Sequence, residues 1–165
     1  MPSSYSQTAT ERKPQQGIVV GKGDANSLKV LLSSTVEFAA SATAVTVKFG
    51  SIPSNARVSG LSRVYNDDCA TSGAPVMDFG LDQPSNSDVT ADPDALGSGT
   101  ATLATASATG YPIISDVANI GLPAWDLISG LSSDPAGNLD VYGTLTDAAT
   151  TQAGTVTIQL LGYLD

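Results

Sequence analysis

The residues with chemistry to offer are few and mostly carboxylates. Asp67-Asp68 stands directly before Cys69, the chain's one cysteine, and Asp88, Asp92 and Asp94 gather around Pro93. Two carboxylates suffice for acid/base glycoside chemistry, but neighbours at a strand end point in opposite directions and do not share a substrate. Cys69 lacks the basic environment that makes a thiolate, and the two adjacent aspartates raise its pKa, so it reads as a small core or turn residue. Asp88, Asp92 and Asp94 are hard oxygen donors of the kind calcium takes. Without the spacing and closing Glu of a calcium loop, the expected role of Asp92-Pro93-Asp94 is a helix start: Asp92 as cap, Pro93 in the first turn, Asp94 near the positive end.

The chain has no histidine, which removes His-dependent triads and most zinc ligand sets. One cysteine excludes a disulfide within the chain. Nucleophile elbows, phosphate-binding glycine loops and dinucleotide fingerprints are missing too. The expectation is a protein that is not an enzyme and uses neither cofactor nor metal.

Charge is more telling. All seven bases, Arg12, Lys13, Lys22, Lys29, Lys48, Arg57 and Arg63, precede Val64 alongside three acids, and thirteen acids with no base follow. Such a split suits either a basic side that meets an acidic partner with an acidic side that faces solvent, or acids that simply keep the surface soluble. An acidic body without a basic, aromatic-studded patch disfavours nucleic acid. No apolar run reaches the roughly 20 residues of a membrane helix, and the opening residues lack the apolar core of a signal peptide, so a soluble protein made in the cytoplasm is expected.

At 165 residues the chain suits one domain with one core. Residues 1–16 are polar and lack periodicity, which predicts an extended arm held only by a partner; residues 17–165 form the domain. Gly17-Ile18-Val19-Val20-Gly21 reads as a short strand leading into the turn Lys22 to Asn26. Leu28, Val30, Leu32, Val36 and Phe38 then occupy even positions of one long strand, or of two with a break near Ser33-Ser34. Val45, Val47 and Phe49 alternate with Thr46 and Lys48, Pro53 breaks that run, a strand spans Arg57 to Tyr65, and Met77, Phe79 and Leu81 share one face of the next. Residues 83–110 have weak periodicity. In residues 111–131 Leu122, Trp125, Ile128 and Leu131 recur at three-residue steps between Pro123 and Gly130, with Ser115 as a cap, and predict short helices. Trp125, the only tryptophan, is expected as a core or subunit-contact anchor. Residues 139–145 and 156–164 alternate cleanly and predict an antiparallel hairpin. The fold class that follows is all-β: an antiparallel β-sandwich, jelly-roll-like, with a short helical insertion and an extended N-terminal arm.

Several stretches carry a resemblance: FAA from Phe38, VTVKFGSIPSNARV from Val45, NDD from Asn66, SGAPVMDFGLD from Ser72, DPDAL from Asp92 and AGTVTIQLLGYLD from Ala153. In this order the chain resembles small virion proteins of tailed bacteriophages, and more narrowly the capsid decoration, or cement, proteins. The resemblance implies a β-sandwich subunit, commonly a homotrimer, bound to the major capsid protein on the outside of the virion. It supplies no catalytic residues. On this expectation Arg12, Lys13, Lys22 and Lys29 are the capsid-contact candidates and Trp125 the subunit-contact candidate. Two other roles fit the same fold: a tail, head-fibre or vertex component, and a carbohydrate-binding module, which would show a cluster of exposed aromatics.

Overall fold

A computed structural model describes residues 27–40 and 45–164. Two antiparallel sheets pack face to face. The larger runs in the order β1 (Lys29–Phe38), β9 (Gly154–Tyr163), β4 (Arg63–Asn66), β7 (Ser107–Pro112), with β3 (Arg57–Val58) also beside β9. The smaller runs β2 (Thr46–Pro53), β8 (Asn138–Thr146), β5 (Val76–Asp82), β6 (Asp92–Thr102).

The pairings β1 with β9, β2 with β8, β4 with β7 and β5 with β6 are nested. The described chain is therefore one long antiparallel hairpin with its tip at β5 and β6. Rolling that hairpin adds the pairs β4 with β9 and β5 with β8 and closes two sheets over one core, the topology of a jelly roll. The predicted fold class is the observed one.

The core is filled from alternate positions of facing strands. Val156, Ile158 and Leu160 of β9 meet Leu139, Val141 and Leu145 of β8 and Met77, Phe79 and Leu81 of β5, all buried. Each fully buried side chain of this size contributes about 1.5–3 kcal/mol. Phe49 and Phe79 meet with ring centroids 5.9 Å apart and tilted planes, a favourable aromatic geometry. Gly143 sits beneath them, where an added Cβ would lie 2.7 Å from Met77 Sδ and 2.9 Å from Phe49 Cε2.

Several local expectations are corrected. Residues 139–145 and 156–164 are strands with the predicted buried faces, but they do not pair: β8 lies in the smaller sheet and β9 in the larger. Residues 147–153 carry the chain between the sheets, pinned by hydrogen bonds from the amides of Thr151 and Gln152 to the Cys69 carbonyl and from Thr150 Oγ1 to the Ala39 carbonyl. The strand expected over Arg57 to Tyr65 is broken by a turn in which the Ser62 amide donates to the Ser59 carbonyl. Asp92 does not cap a helix; it begins β6, opposite Leu81.

The helical insertion shrinks to two 3-10 turns, Val117–Asn119 and Ala124–Leu127, the first capped by Asp116 rather than Ser115. Gly121, at φ 81°, and Pro123 prevent one continuous helix. The three-residue recurrence of Leu122, Trp125, Ile128 and Leu131 matches a tightly wound backbone with three residues per turn, and all four pack on the core. The predicted arm, residues 1–16, and the predicted strand at 17–21 lie outside the described residues.

Candidate functional site

The carboxylates do not assemble into one centre. Asp67 Oδ2 accepts hydrogen bonds from Thr155 Oγ1 at 2.6 Å and the Thr155 amide at 3.0 Å, and these hold its carboxyl below the usual range. Asp68 Oδ1 accepts from the Ala70 amide, forming a local turn. Both residues therefore fasten the loop that carries Cys69. The Cys69 thiol is fully buried, and burial first, then the charges of Asp67 and Asp68, push its pKa up. It packs against Gly154, where an added Cβ would lie 2.6 Å from Sγ.

Asp92 is nearly buried at the edge of the smaller sheet. One carboxylate oxygen accepts from the Ser129 amide at 2.8 Å and the other from the Asp94 amide at 3.4 Å, which ties the start of β6 to the loop after the second 3-10 turn. Burial would raise its pKa, but those hydrogen bonds, the Ser129 amide first, hold it down. Asp94 moves the other way, raised chiefly by its hydrogen bond to Asp92. Asp88 is exposed on a turn where its amide donates to Asn86 Oδ1. Among the described residues no three His, Cys, Asp or Glu side chains are placed to hold a metal ion.

The outer face of the smaller sheet is acidic. Tyr142 lies near its middle, in an open depression of about 630 Å³ lined by Lys48, Asp82, Pro84, Pro93 and Asp140 among others. Lys48 Nζ donates to Asp140 Oδ2 at 2.6 Å, and Ser51 Oγ donates to Asp140 Oδ1 at 2.7 Å. The Tyr142 hydroxyl is pushed up to about 12 by burial and then by the charges of Asp82, Asp92 and Asp94. Among the described residues this face holds a single aromatic, and its carboxylates face one base, Lys48.

The outer face of the larger sheet grades from apolar to polar along its strands. At one end Glu37 lies opposite Thr155, which holds Asp67; in the middle the Thr35 and Thr157 hydroxyls share a hydrogen bond of 2.7 Å. At the other end Val30 lies opposite Leu161 and Arg57 opposite Tyr163. All five exposed large apolar side chains of the described residues collect at this end: Leu28 at 39%, Val30 at 57%, Leu61 at 57%, Val117 at 80% and Ile120 at 45% of full exposure.

Their proximity is fixed by backbone contacts. Ser62 Oγ bridges the carbonyl and amide of Leu161, and the Ser59 amide donates to the same carbonyl, so Leu61 rides on the strand that carries Leu161. Ile120 covers Gly60, where an added Cβ would lie 2.7 Å from Ile120 Cδ1. Arg57 Nη1 donates to the Gly121 carbonyl at 2.9 Å, and Arg63 Nη1 donates to the Gly60 and Ser62 carbonyls, each at 2.9 Å. Both guanidinium groups thereby place positive charge beside the apolar surface. Exposed apolar side chains gathered at one end of a molecule are a feature of interaction sites.

Of the sequence-predicted contact residues, Lys29 is exposed at the start of β1, next to Leu28 and Val30. Arg12, Lys13 and Lys22 lie outside the described residues. Trp125 is half-buried against its own core, its amide donating to the Ser54 carbonyl at 3.0 Å. The exposed end built from Leu61, Val117 and Ile120 went unread in the sequence, since three isolated apolar residues in turns carry no periodic signal. Among the described residues no helix is long and apolar enough to cross a membrane.

Comparison of the chain with protein-family models, with curated proteins and with solved structures finds no match.

Proposed function

We propose that this protein is a structural virion component that binds the outer surface of a tailed-bacteriophage capsid and stabilises it as a decoration protein. The observation that supports this reading best is the two-sidedness of the jelly roll. One end gathers the exposed apolar side chains with Arg57, Arg63 and Lys29, while the outer face of the opposite sheet carries Asp78, Asp82, Asp94 and Asp140 against Lys48 alone. Apolar contact supplies affinity and the neighbouring positive charge steers the subunit toward an acidic capsid surface. The acidic face keeps many closely spaced copies soluble by mutual repulsion.

In this reading the major capsid protein is the partner, and Leu61, Val117 and Ile120 form the contact, with Lys29 and the basic residues Arg12, Lys13 and Lys22 adding salt-dependent attraction. Assembly as a homotrimer belongs to the same proposal and draws on the resemblance to decoration proteins. A carbohydrate-binding role fits less well: Phe38, Phe49 and Phe79 are buried, Trp125 serves the core, and Tyr65 and Tyr142 stand on different sheets. The test is quantitative mass spectrometry of purified virions. Copy numbers on the scale of the major capsid protein support decoration; a handful per particle would assign the chain to a tail, fibre or vertex, and its absence from virions would overturn the proposal.

A further inference from the structure

The depression on the outer face of the smaller sheet, about 630 Å³ in volume, is built by the strands beneath it. Tyr142 of β8 stands between Lys48 of β2 and Gly80 of β5. Because Gly80 has no side chain, the backbone of Asp92 and Pro93 closes over it, where an added Cβ would lie 2.3 Å from the Asp92 carbonyl oxygen and 2.6 Å from Pro93 Cα. Pro93 thereby becomes one wall of the depression, and Pro84 another. A tyrosine flanked by two prolines offers a mostly apolar seat with a π-face.

Two residues along β8, Asp140 lies directly opposite Asp82 of β5. Like charges so placed on neighbouring strands repel. Lys48 Nζ and Ser51 Oγ engage the two oxygens of Asp140, at 2.6 and 2.7 Å, whereas Asp82 has no hydrogen-bonded or ionic partner among the described residues. The remaining negative charge is felt at Tyr142, whose hydroxyl is pushed up to about 12 by burial first and then by Asp82, Asp92 and Asp94.

We propose that this depression binds a guanidinium group, the arginine side chain of a partner protein, with its plane on the Tyr142 ring and its N–H groups donating to Asp82. Guanidinium is planar, weakly hydrated and forked, so it stacks on an aromatic face and pairs with a carboxylate at once. A compact ammonium matches only the charge. An open depression admits a side chain projecting from another protein without enclosing a free molecule. By neutralising Asp140, Lys48 leaves one carboxylate for the guest. The inference does not rest on the capsid reading: the depression lies on the smaller sheet, and Leu61 beside the larger.

The experiment titrates the full chain with the peptide acetyl-Gly-Arg-Gly-amide and follows backbone amide shifts by NMR. The expected result is saturable shifts confined to the strands around residues 80–82, 93 and 140–142. Citrulline in place of arginine, a neutral isostere, should weaken binding at least about tenfold, and lysine at least about threefold. Asp82→Asn and Tyr142→Leu should each weaken it at least about fivefold, while Tyr142→Phe, which keeps the ring, should stay within about twofold. Lys48→Met should strengthen binding, since it leaves Asp140 uncompensated. Shifts away from the site report whether each variant keeps its fold. Absence of saturable shifts, equal affinity for the citrulline or lysine peptide, or unchanged affinity in Asp82→Asn would overturn the proposal.

Discussion

Val30 of β1 lies directly opposite Leu161 of β9, on the outer rather than the core face of the larger sheet. The pair belongs to the exposed apolar end of the molecule, so a polar side chain at Val30 removes surface that folding does not need. Val30→Thr should change unfolding free energy by no more than about 0.5 kcal/mol while lowering binding of a hydrophobic dye. Urea titration and dye fluorescence check both; a large loss of stability would mean that Val30 is packed within the fold.

Glycines separate positions where space is decisive from those where only the backbone angle is. An added Cβ at Gly80 would lie 2.3 Å from the Asp92 carbonyl oxygen and 2.6 Å from Pro93 Cα, both backbone atoms of the paired strand. At Gly121, φ 81°, an added Cβ would meet no atom within 4 Å beyond the adjoining residues. Gly80→Ala should therefore cost about 3 kcal/mol or prevent folding, whereas Gly121→Ala should cost about 1 kcal/mol, the strain of a left-handed residue. Thermal unfolding of the two variants should rank them in that order.

The Asp92 and Asp94 carboxyls respond to acid in opposite senses. Asp92, held below its usual pKa by the Ser129 amide and Asp94, contributes stability above the unfolded value of about 3.9 that is lost as pH falls through its lower folded value. Asp94 is raised by its neighbour, so its charge is a penalty at neutral pH that disappears as pH falls through its folded pKa. Asp94→Asn should raise stability at pH 7 by up to about 0.5 kcal/mol, since the group is exposed, and leave it unchanged in strong acid, where both forms are neutral. A loss of stability at pH 7 would contradict this arrangement.

Cys69 should be chemically silent while the protein is folded. Its thiol is buried and its pKa raised by burial and by Asp67 and Asp68, which disfavours the thiolate that reacts. Labelling by a thiol reagent should follow the unfolded fraction across a denaturant series. Rapid labelling without denaturant would show that the loop over Cys69 opens on its own.

The legible parts of the fold were those where alternation is undisturbed. β5, β8 and β9 showed their buried faces in Met77 to Leu81, Leu139 to Leu145 and Val156 to Leu160, because one face is core and the other solvent. β6 escaped notice because its pairing with β5 slips register on both sides of Phe79 and because Gly97 and Gly99 interrupt its pattern. The pairing of β8 and β9 was misread since both alternate perfectly; which strand each meets is decided by the rolling of the whole hairpin, a non-local matter. The irregularity at Leu31 hid the outward turn of Val30 for a similar reason: one extra residue inverts which side chains face the core. The charge split was visible, but Arg57 and Arg63 bind backbone carbonyls and Lys48 binds Asp140, so the described bases hold the fold as well as carrying charge.

The central claim is that the apolar end attaches this subunit to a capsid. The most direct measurement is the occupancy of purified capsids stripped of the protein, after incubation with the unsubstituted chain or with Leu61→Asp. Leu61 is exposed, so the substitution should leave unfolding free energy within about 0.5 kcal/mol. The account predicts saturable binding by the unsubstituted chain and at least about a tenfold weaker affinity for Leu61→Asp, a loss of 1.4 kcal/mol or more. Equal occupancy by the two proteins, or no binding by either, would contradict it.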